Sequence, residues 1–332
     1  ATIIIVPIIA SCGFKIPKSS SRAITTPAGT ADAMEVLAPV TFTKEQIYKI
    51  VKKTNACIVW GGSFNIAPAD DEIIKIEEPL LFESYDKIVV SVMAKKVAFS
   101  ATHVVLDLPY GRSVKIHRIE DAEIIAKKFK FLGKKFNIKV DVLIHKTEEP
   151  AGAGIGPLLE VRDSLKVLEQ TEDRPLMLEE LALDLSSKLL ELSLEDSPKE
   201  IKESYEKRYK NTREWAKDVL SSGKAHGKLL EIIEAQGGNS RIRSSDLKPG
   251  KYCFILEAGF NGKVTKIMSK NITAIARILG APKDKKAGMV LHKKIDQEIK
   301  KGDRLVALYS DSEYRLSEAQ DTLDAFPIFE IA

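Results

Sequence analysis

The chain has 332 residues, which is long enough for two domains with a large buried core. Its apolar content of 44% and charged content of 30% are typical of a soluble globular protein. The net charge is only +4, and basic and acidic residues are mixed along the chain, so charge gives no argument for nucleic-acid binding.

Three cysteines, Cys12, Cys57 and Cys253, fit no metal-binding spacing and are an odd count for a disulfide framework. This favours a reducing compartment, and we expect a cytoplasmic protein. The five histidines are scattered, without the HExxH pattern of metal hydrolases, so the sequence predicts no metal cofactor.

The first elements in chain order are apolar runs alternating with helices. The start, ATIIIVPII, is too short to cross a bilayer and predicts a buried strand or helix. TADAMEVLAP predicts a helix after a Thr/Asp start, and TFTKEQIYKIVKKTN a helix capped by Thr43. ACIVWGG is typical of a short buried strand, whereas KIVVSVMAKKVAFSA has helical spacing.

The middle of the chain indicates the fold class. HVVLDLP and IKVDVLIH are β-branched runs that flank the amphipathic helix DAEIIAKKFKFLGKKFN. This strand–helix–strand order predicts parallel pairing, so we expect an α/β protein with a mixed or parallel sheet flanked by helices. Further helices follow, and the charged residues 195–213 predict an exposed helix or a mobile insertion.

The pattern changes near Ser245. GKYCFILEAGFNGKVTKI alternates like strands, NITAIARILG predicts a helix, and AGMVLHKKIDQEIKKGDRLVALYS predicts strands joined at the turn KKGD. We therefore expect an α/β domain over residues 1–244 and a smaller C-terminal α+β domain over residues 245–332.

The stretch PKSSSRAITTPAGTAD is rich in small hydrogen-bond donors. Hydroxyl groups and free backbone N–H groups at a helix start suit an anion, and an arginine adds a fork of donors. We predict a phosphate-binding segment formed by Ser20, Ser21, Arg22, Thr25, Thr26 and Thr30. The alternative is a polar loop whose hydroxyl groups cap its own turns.

Four blocks of the sequence resemble one family. IPKSSSRAITTPAGTADAMEVLAPV, CIVWGGSFNIAPADD, SVMAKK and IGPLLEVRD together resemble the thymidine phosphorylase / AMP phosphorylase family. The resemblance runs along the chain and is strongest to the longer archaeal-type members, which phosphorolyse nucleoside 5′-monophosphates. It implies a pentosyltransferase that breaks the N-glycosidic bond of AMP with inorganic phosphate, without a cofactor.

We expect that the N-terminal region and most of the all-helical domain are missing from this sequence, because the same resemblance implies that family members extend beyond Ala1. They have an N-terminal region, an all-helical segment and a strand that ends in a glycine-rich HSxGG phosphate loop. We expect residues 68–98 to contribute to the helical lobe across the cleft, and the isolated 332-residue chain to have weak or no activity.

The resemblance assigns roles to individual positions. Residues that match substrate- and phosphate-binding positions of the family are Thr2, Ser20, Ser21, Arg22, Ala23, Ile24, Thr25, Thr26, Thr30 and Lys115. Ser91 and Lys95 match residues that hold the base, and their spacing of four puts them on one helix face, where Lys95 is alternatively a solvated lysine. Glu160 matches a carboxylate that some pyrimidine phosphorylases use for a monovalent cation; an ion pair with Arg162 or Lys166 is the alternative.

The sequence departs from the family pattern in three places. Glu83 stands where AMP phosphorylases have an aspartate that donates a proton to the leaving base; glutamate can do this, or it is an exposed loop residue. Glu77 and Glu78 occupy the region where pyrimidine-specific members place an arginine on the base. Relatives have a GGQPxGR type of run where this chain has HKTEEPAGAG, with Ala153 or a neighbour replacing the arginine.

Three functions stay open at this stage. The first is an AMP-type nucleoside-monophosphate phosphorylase, the second a thymidine or pyrimidine nucleoside phosphorylase, and the third a non-catalytic nucleotide-binding family member. The expected partners are a nucleoside or nucleotide and phosphate, with neither nucleic acid nor membrane, and the resemblance implies a homo-oligomer, dimer or larger.

Overall fold

The computed structural model describes residues 1–23, 26–63 and 85–332. Its helices are α1 (Thr2–Ser11), α2 (Thr30–Met34), α3 (Lys44–Thr54), α4 (Tyr85–Ala98), α5 (Ile119–Lys135), α6 (Pro157–Glu169), α7 (Leu176–Glu195), α8 (Lys199–Glu206), α9 (Thr212–Ser221), α10 (Lys224–Ala235), α11 (Ser269–Leu279) and α12 (Glu313–Thr322). Its strands are β1 (Ile16–Ser20), β2 (Ala56–Trp60), β3 (His103–Tyr110), β4 (Lys139–Lys146), β5 (Gly154–Ile155), β6 (Tyr252–Glu257), β7 (Gly262–Ile267), β8 (Gly288–Leu291), β9 (Glu298–Ile299), β10 (Arg304–Ser310) and β11 (Phe329–Ile331).

The apolar start of the chain is a buried helix. Helix α1 is apolar on all sides, and it packs against α7, α10 and the strands β1 and β2. A helix that is apolar all round belongs in the middle of a core, and α1 supplies fully buried residues such as Ile4 and Ile8. Of the two alternatives that the sequence left open, the structure therefore has the helix.

Strand β1 pairs with β2 in parallel, from Ile16 opposite Ala56 to Ser20 opposite Trp60. The connection between them contains α2 and α3, and α3 leads directly into β2. Thr43 and Gln46 form a capping box at the start of α3, and Asn55, with a φ of 64°, ends it in the left-handed conformation. These residues set the point at which β2 begins.

Strands β3 and β4 form a second parallel pair, and α5 connects them, as the sequence predicted. The mixed α/β class is confirmed, but in the described part of the chain these four parallel strands form two separate pairs rather than one sheet. Helix α7 packs against β3, β4 and α1, and α1 packs against β2, so these two helices link the two pairs.

The C-terminal part is antiparallel. One sheet has the order β5-β8-β10-β6, and another has the order β11-β7-β9. Helices α11 and α12 cover a core distinct from that of α1, with Val264, Ile275 and Leu308 fully buried in it. Because β5 belongs to the N-terminal half yet pairs with β8, the two parts share a sheet. The domain boundary near residue 245 stays a prediction.

Three further features complete the description. The charged residues 195–213 contain α8, whose Tyr205 lies 5.4 Å from Trp215 between ring centroids. Among the residues that the structure describes, no helix combines the length and apolar character needed to cross a membrane. Cys12, Cys57 and Cys253 are all free thiols.

A candidate anion-binding site at the end of strand β1

The carboxyl end of β1 holds a buried hydroxyl group without a partner. Ser20 is only 9% exposed, and its Oγ has no hydrogen-bond partner in the described part of the chain. A buried polar group without a partner is unfavourable, so its presence at a strand end indicates a ligand atom that completes it. In parallel α/β proteins, ligands bind beyond the carboxyl ends of strands.

Lys18 lies on the same face of β1 as Ser20, because side chains alternate along a strand. Its Nζ donates to the Ser19 carbonyl oxygen at 3.0 Å. Burial, and then the charges of Lys96 and Lys95, lower the pKa of Lys18 to about 7. Lys18 as a whole is half-buried, and protein encloses its ammonium group. The positive charges of Lys18, Lys95 and Lys96 together favour the binding of an anion.

Asp32 organises the residues that follow Ser20. It is 3% exposed, and its Oδ2 accepts from the Ala23 amide at 2.7 Å and from the Gly29 amide at 3.1 Å. Burial raises the pKa of this carboxyl, but the donors from Ala23, Lys285 and Gly29 outweigh burial and hold it below its usual range. One carboxylate therefore holds both Ala23 and Gly29, on either side of Ile24 and Thr25.

Gly29 packs directly against the backbone of residues 21–23. A Cβ at this position would lie 2.6 Å from the Ser21 carbonyl oxygen, the Arg22 carbonyl carbon and the Ala23 nitrogen. The Ala31 amide donates to the same Ser21 oxygen at 3.3 Å. Glycine is needed here because the two segments approach too closely for any side chain.

Arg22 has a different environment from the one that the sequence suggested. Both of its Nη atoms donate to the Glu35 carboxylate at 2.6 Å, one of them also reaches Asp32 at 3.2 Å, and its Cζ lies 4.9 Å from the centre of the Trp60 ring. A phosphate would have to compete with Glu35 for this fork of donors. Its direct contact with phosphate stays a prediction.

The Glu35 carboxylate should make stability depend on pH. Hydrogen bonds from Arg22 and Lys285 lower the pKa of Glu35 from 4.5 to about 2, against burial. Because the folded-state pKa is depressed, its stabilisation is complete above pH 4.5 and is lost as the pH falls towards 2. Because solvent screens this partly exposed ion pair, we expect Glu35→Gln to lower the free energy of unfolding by only about 1 kcal/mol at pH 7, and by less than half of that at about pH 3, in urea titrations.

Glu234→Gln is the matched control for this prediction. Glu234 is exposed on α10, and its loss should change stability little at either pH. An effect of Glu35→Gln that is as large at low pH as at neutral pH would contradict the ion-pair explanation.

The other predicted residues of this stretch separate into three groups. Ser21 and Thr26 are exposed, and the Thr26 hydroxyl donates to the Ala28 carbonyl oxygen at 3.0 Å, as the alternative of self-capping turns expected. Ile24 and Thr25 lie outside the described residues. Thr30 lines a cavity described next.

A cavity of about 370 Å³ lies between the start of α1 and the start of α6. Thr2 and Thr30 line it, together with Asp107, Glu160 and Asp163. The structure thus brings two of the predicted substrate-binding residues to the same cavity as Glu160. In the described part of the chain, no cluster of three or more histidine, cysteine or acidic side chains is arranged to hold a metal ion.

Glu160 faces this cavity. Burial raises the pKa of its carboxyl to about 7, against a hydrogen bond of 3.3 Å from the Gly156 amide to its Oε1 that lowers it. Lys166, one of the two ion-pair partners considered from the sequence, bonds to Asp173 instead. An acidic group beside a cavity can attract a cation when it is ionised, and the monovalent cation stays a prediction.

Helix α4 carries the residues predicted to hold the base. Ser91 and Lys95 lie one turn apart, with the Lys95 Nζ 3.5 Å from the Ser91 Oγ. Burial, and then Lys95, lower the pKa of the neighbouring Lys96. The charges of Lys95 and Lys96 both act on Lys18, so these two lysines lie within electrostatic range of β1.

Two predicted residues remain. Lys115 is exposed after β3, and its carbonyl oxygen accepts from the Tyr85 hydroxyl at 3.4 Å, at the start of α4. Glu83, the predicted proton donor, lies outside the described residues, as do Glu77 and Glu78.

Sequence reasoning missed four residues that contribute to this region, namely Lys18, Asp32, Lys96 and Lys285. A signal for Lys18 was available, because it lies two residues before Ser20 on a strand. Asp32 was seen only as part of a helix start. Lys285 is more than 250 residues away along the chain, and no local pattern could have placed it here.

Comparison with known families identifies the family to which the chain belongs. Residues 2–226 match the glycosyl transferase family, a/b domain, which is more than half of the 332 residues. The chain belongs to this glycosyl transferase family. Residues 263–326 of this glycosyl transferase match the pyrimidine nucleoside phosphorylase C-terminal domain.

Curated relatives extend the match along almost the whole glycosyl transferase chain. An AMP phosphorylase of Methanosarcina acetivorans is 40% identical over 321 residues, and one of Methanocaldococcus jannaschii is 42% identical over 317 residues. These alignments cover 97% and 96% of this chain, and 61% of the length of each relative. The resemblance to the thymidine phosphorylase / AMP phosphorylase family is confirmed, for a chain that spans about 61% of these relatives.

A solved structure shares the fold. Anthranilate phosphoribosyltransferase from Thermus thermophilus superposes with a TM-score of 0.52, covering 70% of this chain and 72% of that chain at 13% identity. At this identity the likeness concerns the fold alone.

Proposed function

We propose that this chain forms the α/β and C-terminal parts of a phosphorylase that acts on a nucleoside 5′-monophosphate. The reaction is AMP plus phosphate giving adenine plus ribose 1,5-bisphosphate, with inorganic phosphate as co-substrate and no cofactor. Support comes from the AMP phosphorylases that match 96–97% of the chain. The single observation that carries it is the Ser20 hydroxyl at the carboxyl end of β1, which has no partner among the described residues.

The chemistry requires an anion held on one side of the sugar. A phosphate oxygen forms a bond to C1′ while the bond from C1′ to the base nitrogen breaks, and the bonding electrons leave with the base. The Ser20 hydroxyl and the Lys18 ammonium suit the attacking phosphate, because a fixed donor and a cation position it without reorganisation in the transition state. The hydroxyl groups of Thr2 and Thr30 would hold further oxygen atoms of the substrates.

The leaving base carries negative charge and needs stabilisation on the opposite side. We propose Ser91 and Lys95 for this role, since their polar atoms lie together on one face of α4. We assign protonation of the base to Glu83 and substrate binding to Lys115. Closure of the cleft would exclude water and favour phosphorolysis over hydrolysis.

A pyrimidine nucleoside phosphorylase is the second candidate. The match of residues 263–326 to a pyrimidine nucleoside phosphorylase C-terminal domain favours it. Against it, Glu77 and Glu78 replace the arginine that the resemblance leads us to expect near the pyrimidine ring.

A phosphorolysis screen distinguishes the candidates. The full-length protein is incubated with inorganic phosphate and, separately, AMP, CMP, UMP, uridine or thymidine, and release of free base is followed by chromatography. We expect adenine release from AMP to exceed thymine release from thymidine. The reverse order supports the pyrimidine enzyme, and no release from any substrate despite phosphate binding supports a non-catalytic member.

We further propose a cytoplasmic homo-oligomer, a dimer or larger. The three free thiols suit a reducing compartment. Sedimentation of the full-length protein measures the oligomeric state directly.

A further inference from the structure

Lys285 reaches from the C-terminal part of the chain into the residues around Asp32. It lies between α11 and β8, and its Nζ is 2.9 Å from the Asp32 Oδ1 and 3.0 Å from the Glu35 Oε2. Its backbone is also fixed, because the Leu158 amide donates to the Lys285 carbonyl oxygen at 3.0 Å. The side chain is 29% exposed, so this contact is partly shielded from solvent.

Lys285 completes the charge balance of a four-residue group, which we call the Asp32 cluster. It consists of Arg22, Asp32, Glu35 and Lys285, two cations and two carboxylates joined by ion pairs. Without the Lys285 ammonium the cluster would carry a net negative charge beside Ser20. That charge would repel an incoming phosphate.

Lys285 also fixes the orientation of the Asp32 carboxylate. Asp32 uses one oxygen atom, Oδ2, for the Ala23 and Gly29 amides and the other, Oδ1, for Arg22 and Lys285. Fixing Oδ1 from the C-terminal part sets the orientation of the carboxylate, and therefore the positions of Ala23 and Gly29. Charge-assisted hydrogen bonds of this kind are stronger than neutral ones.

We infer that Lys285 is a positioning residue through which the C-terminal part holds the substrate-binding residues around Asp32 in their binding-competent arrangement. The expected effect on KM rests on the proposed function. The expected effect on the backbone around Ala23 and Gly29 does not. Lys285 thereby gives the C-terminal part a role in substrate affinity rather than in the chemical step.

The test compares Lys285→Met with Lys285→Arg in the full-length protein. If removal of the ammonium leaves the binding-competent arrangement populated about one tenth of the time, KM for phosphate rises about tenfold while kcat changes by less than about twofold. Inorganic phosphate should bind about tenfold more weakly in calorimetry. Lys285→Arg keeps the charge and should restore most of the affinity.

Lys286→Met is the matched control, since Lys286 is the adjacent exposed lysine. A readout independent of activity is hydrogen–deuterium exchange of the Ala23 and Gly29 amides, resolved by electron-transfer fragmentation. We expect these two amides to exchange about tenfold faster in Lys285→Met than in Lys286→Met, because weakening the Asp32 cluster increases local opening.

The outcomes separate the two proposals. Faster exchange at Ala23 and Gly29 with no base release by the parent protein supports Lys285 and counts against the proposed function. Unchanged exchange overturns the positioning role whether or not the protein is active, and so does a lower melting temperature with unaltered phosphate affinity.

Discussion

Replacing Ser20 by alanine should lower kcat/KM for phosphorolysis about 100-fold while leaving the fold at least as stable. Loss of one donor to the reacting anion typically removes about 3 kcal/mol of transition-state stabilisation. The hydroxyl has no partner within the described residues, so its removal breaks no hydrogen bond seen there. The free energy of unfolding should therefore stay unchanged or rise by about 1 kcal/mol, because an unsatisfied buried group is lost.

Ser186→Ala is the matched control for this prediction. Ser186 on α7 is also buried, and its Oγ is likewise without a partner in the described chain. Its replacement should give a similar small change in stability with normal kinetics, measured by urea unfolding and steady-state assays. Full activity of Ser20→Ala, or an equal loss of activity in Ser20→Ala and Ser186→Ala, would contradict the proposed role of the Ser20 hydroxyl.

Gly29→Ala should be the most damaging single methyl addition in this region. The new Cβ would meet three backbone atoms at 2.6 Å, and backbone atoms cannot move aside as the end of a side chain can. We expect a loss of about 1–3 kcal/mol in the free energy of unfolding from overpacking. Displacement of Gly29 also disturbs the Asp32 carboxylate and Ser21, and a shift of about 1 Å at binding groups can lower activity about 100-fold.

The control for this variant is Gly227→Ala. Gly227 lies within α10 with open space where its Cβ would be, so alanine should stabilise the protein by about 1 kcal/mol through its helix propensity. Thermal unfolding and phosphate affinity of the two variants give the comparison. A Gly29→Ala protein with parental affinity and stability would show that the close approach at Gly29 is not required.

Local patterns predicted most of the elements correctly, for reasons visible in particular residues. Thr43 and Gln46 mark the start of α3, and the β-branched runs around α5 gave the parallel pair β3–β4. Local patterns could not decide between strand and helix for a segment whose conformation depends on residues far away in the chain. The Ile-rich start has strand-like composition, but it is a helix because α7, α10 and the strands β1 and β2 enclose it on all sides.

The candidate site was predictable only in part. The abundance of hydroxyl groups pointed to residues 20–30, yet composition could not distinguish the buried Ser20 from Thr26, which bonds to its own turn. The neutralisation of Arg22 by Glu35 depends on a side chain thirteen residues later, folded back by α2. Lys285 comes from the opposite end of the chain, so its contact with Asp32 exists only in the folded protein.

The central claim is that the Ser20 hydroxyl and the Lys18 ammonium bind the phosphate that attacks the sugar. A crystal structure of the full-length protein with phosphate and a nucleotide bound tests this claim most directly. We predict a phosphate oxygen within hydrogen-bond distance of the Ser20 Oγ, with Lys18 on the same side of the ion. A phosphate bound elsewhere, with the Ser20 hydroxyl bonded to its own main chain, would contradict it.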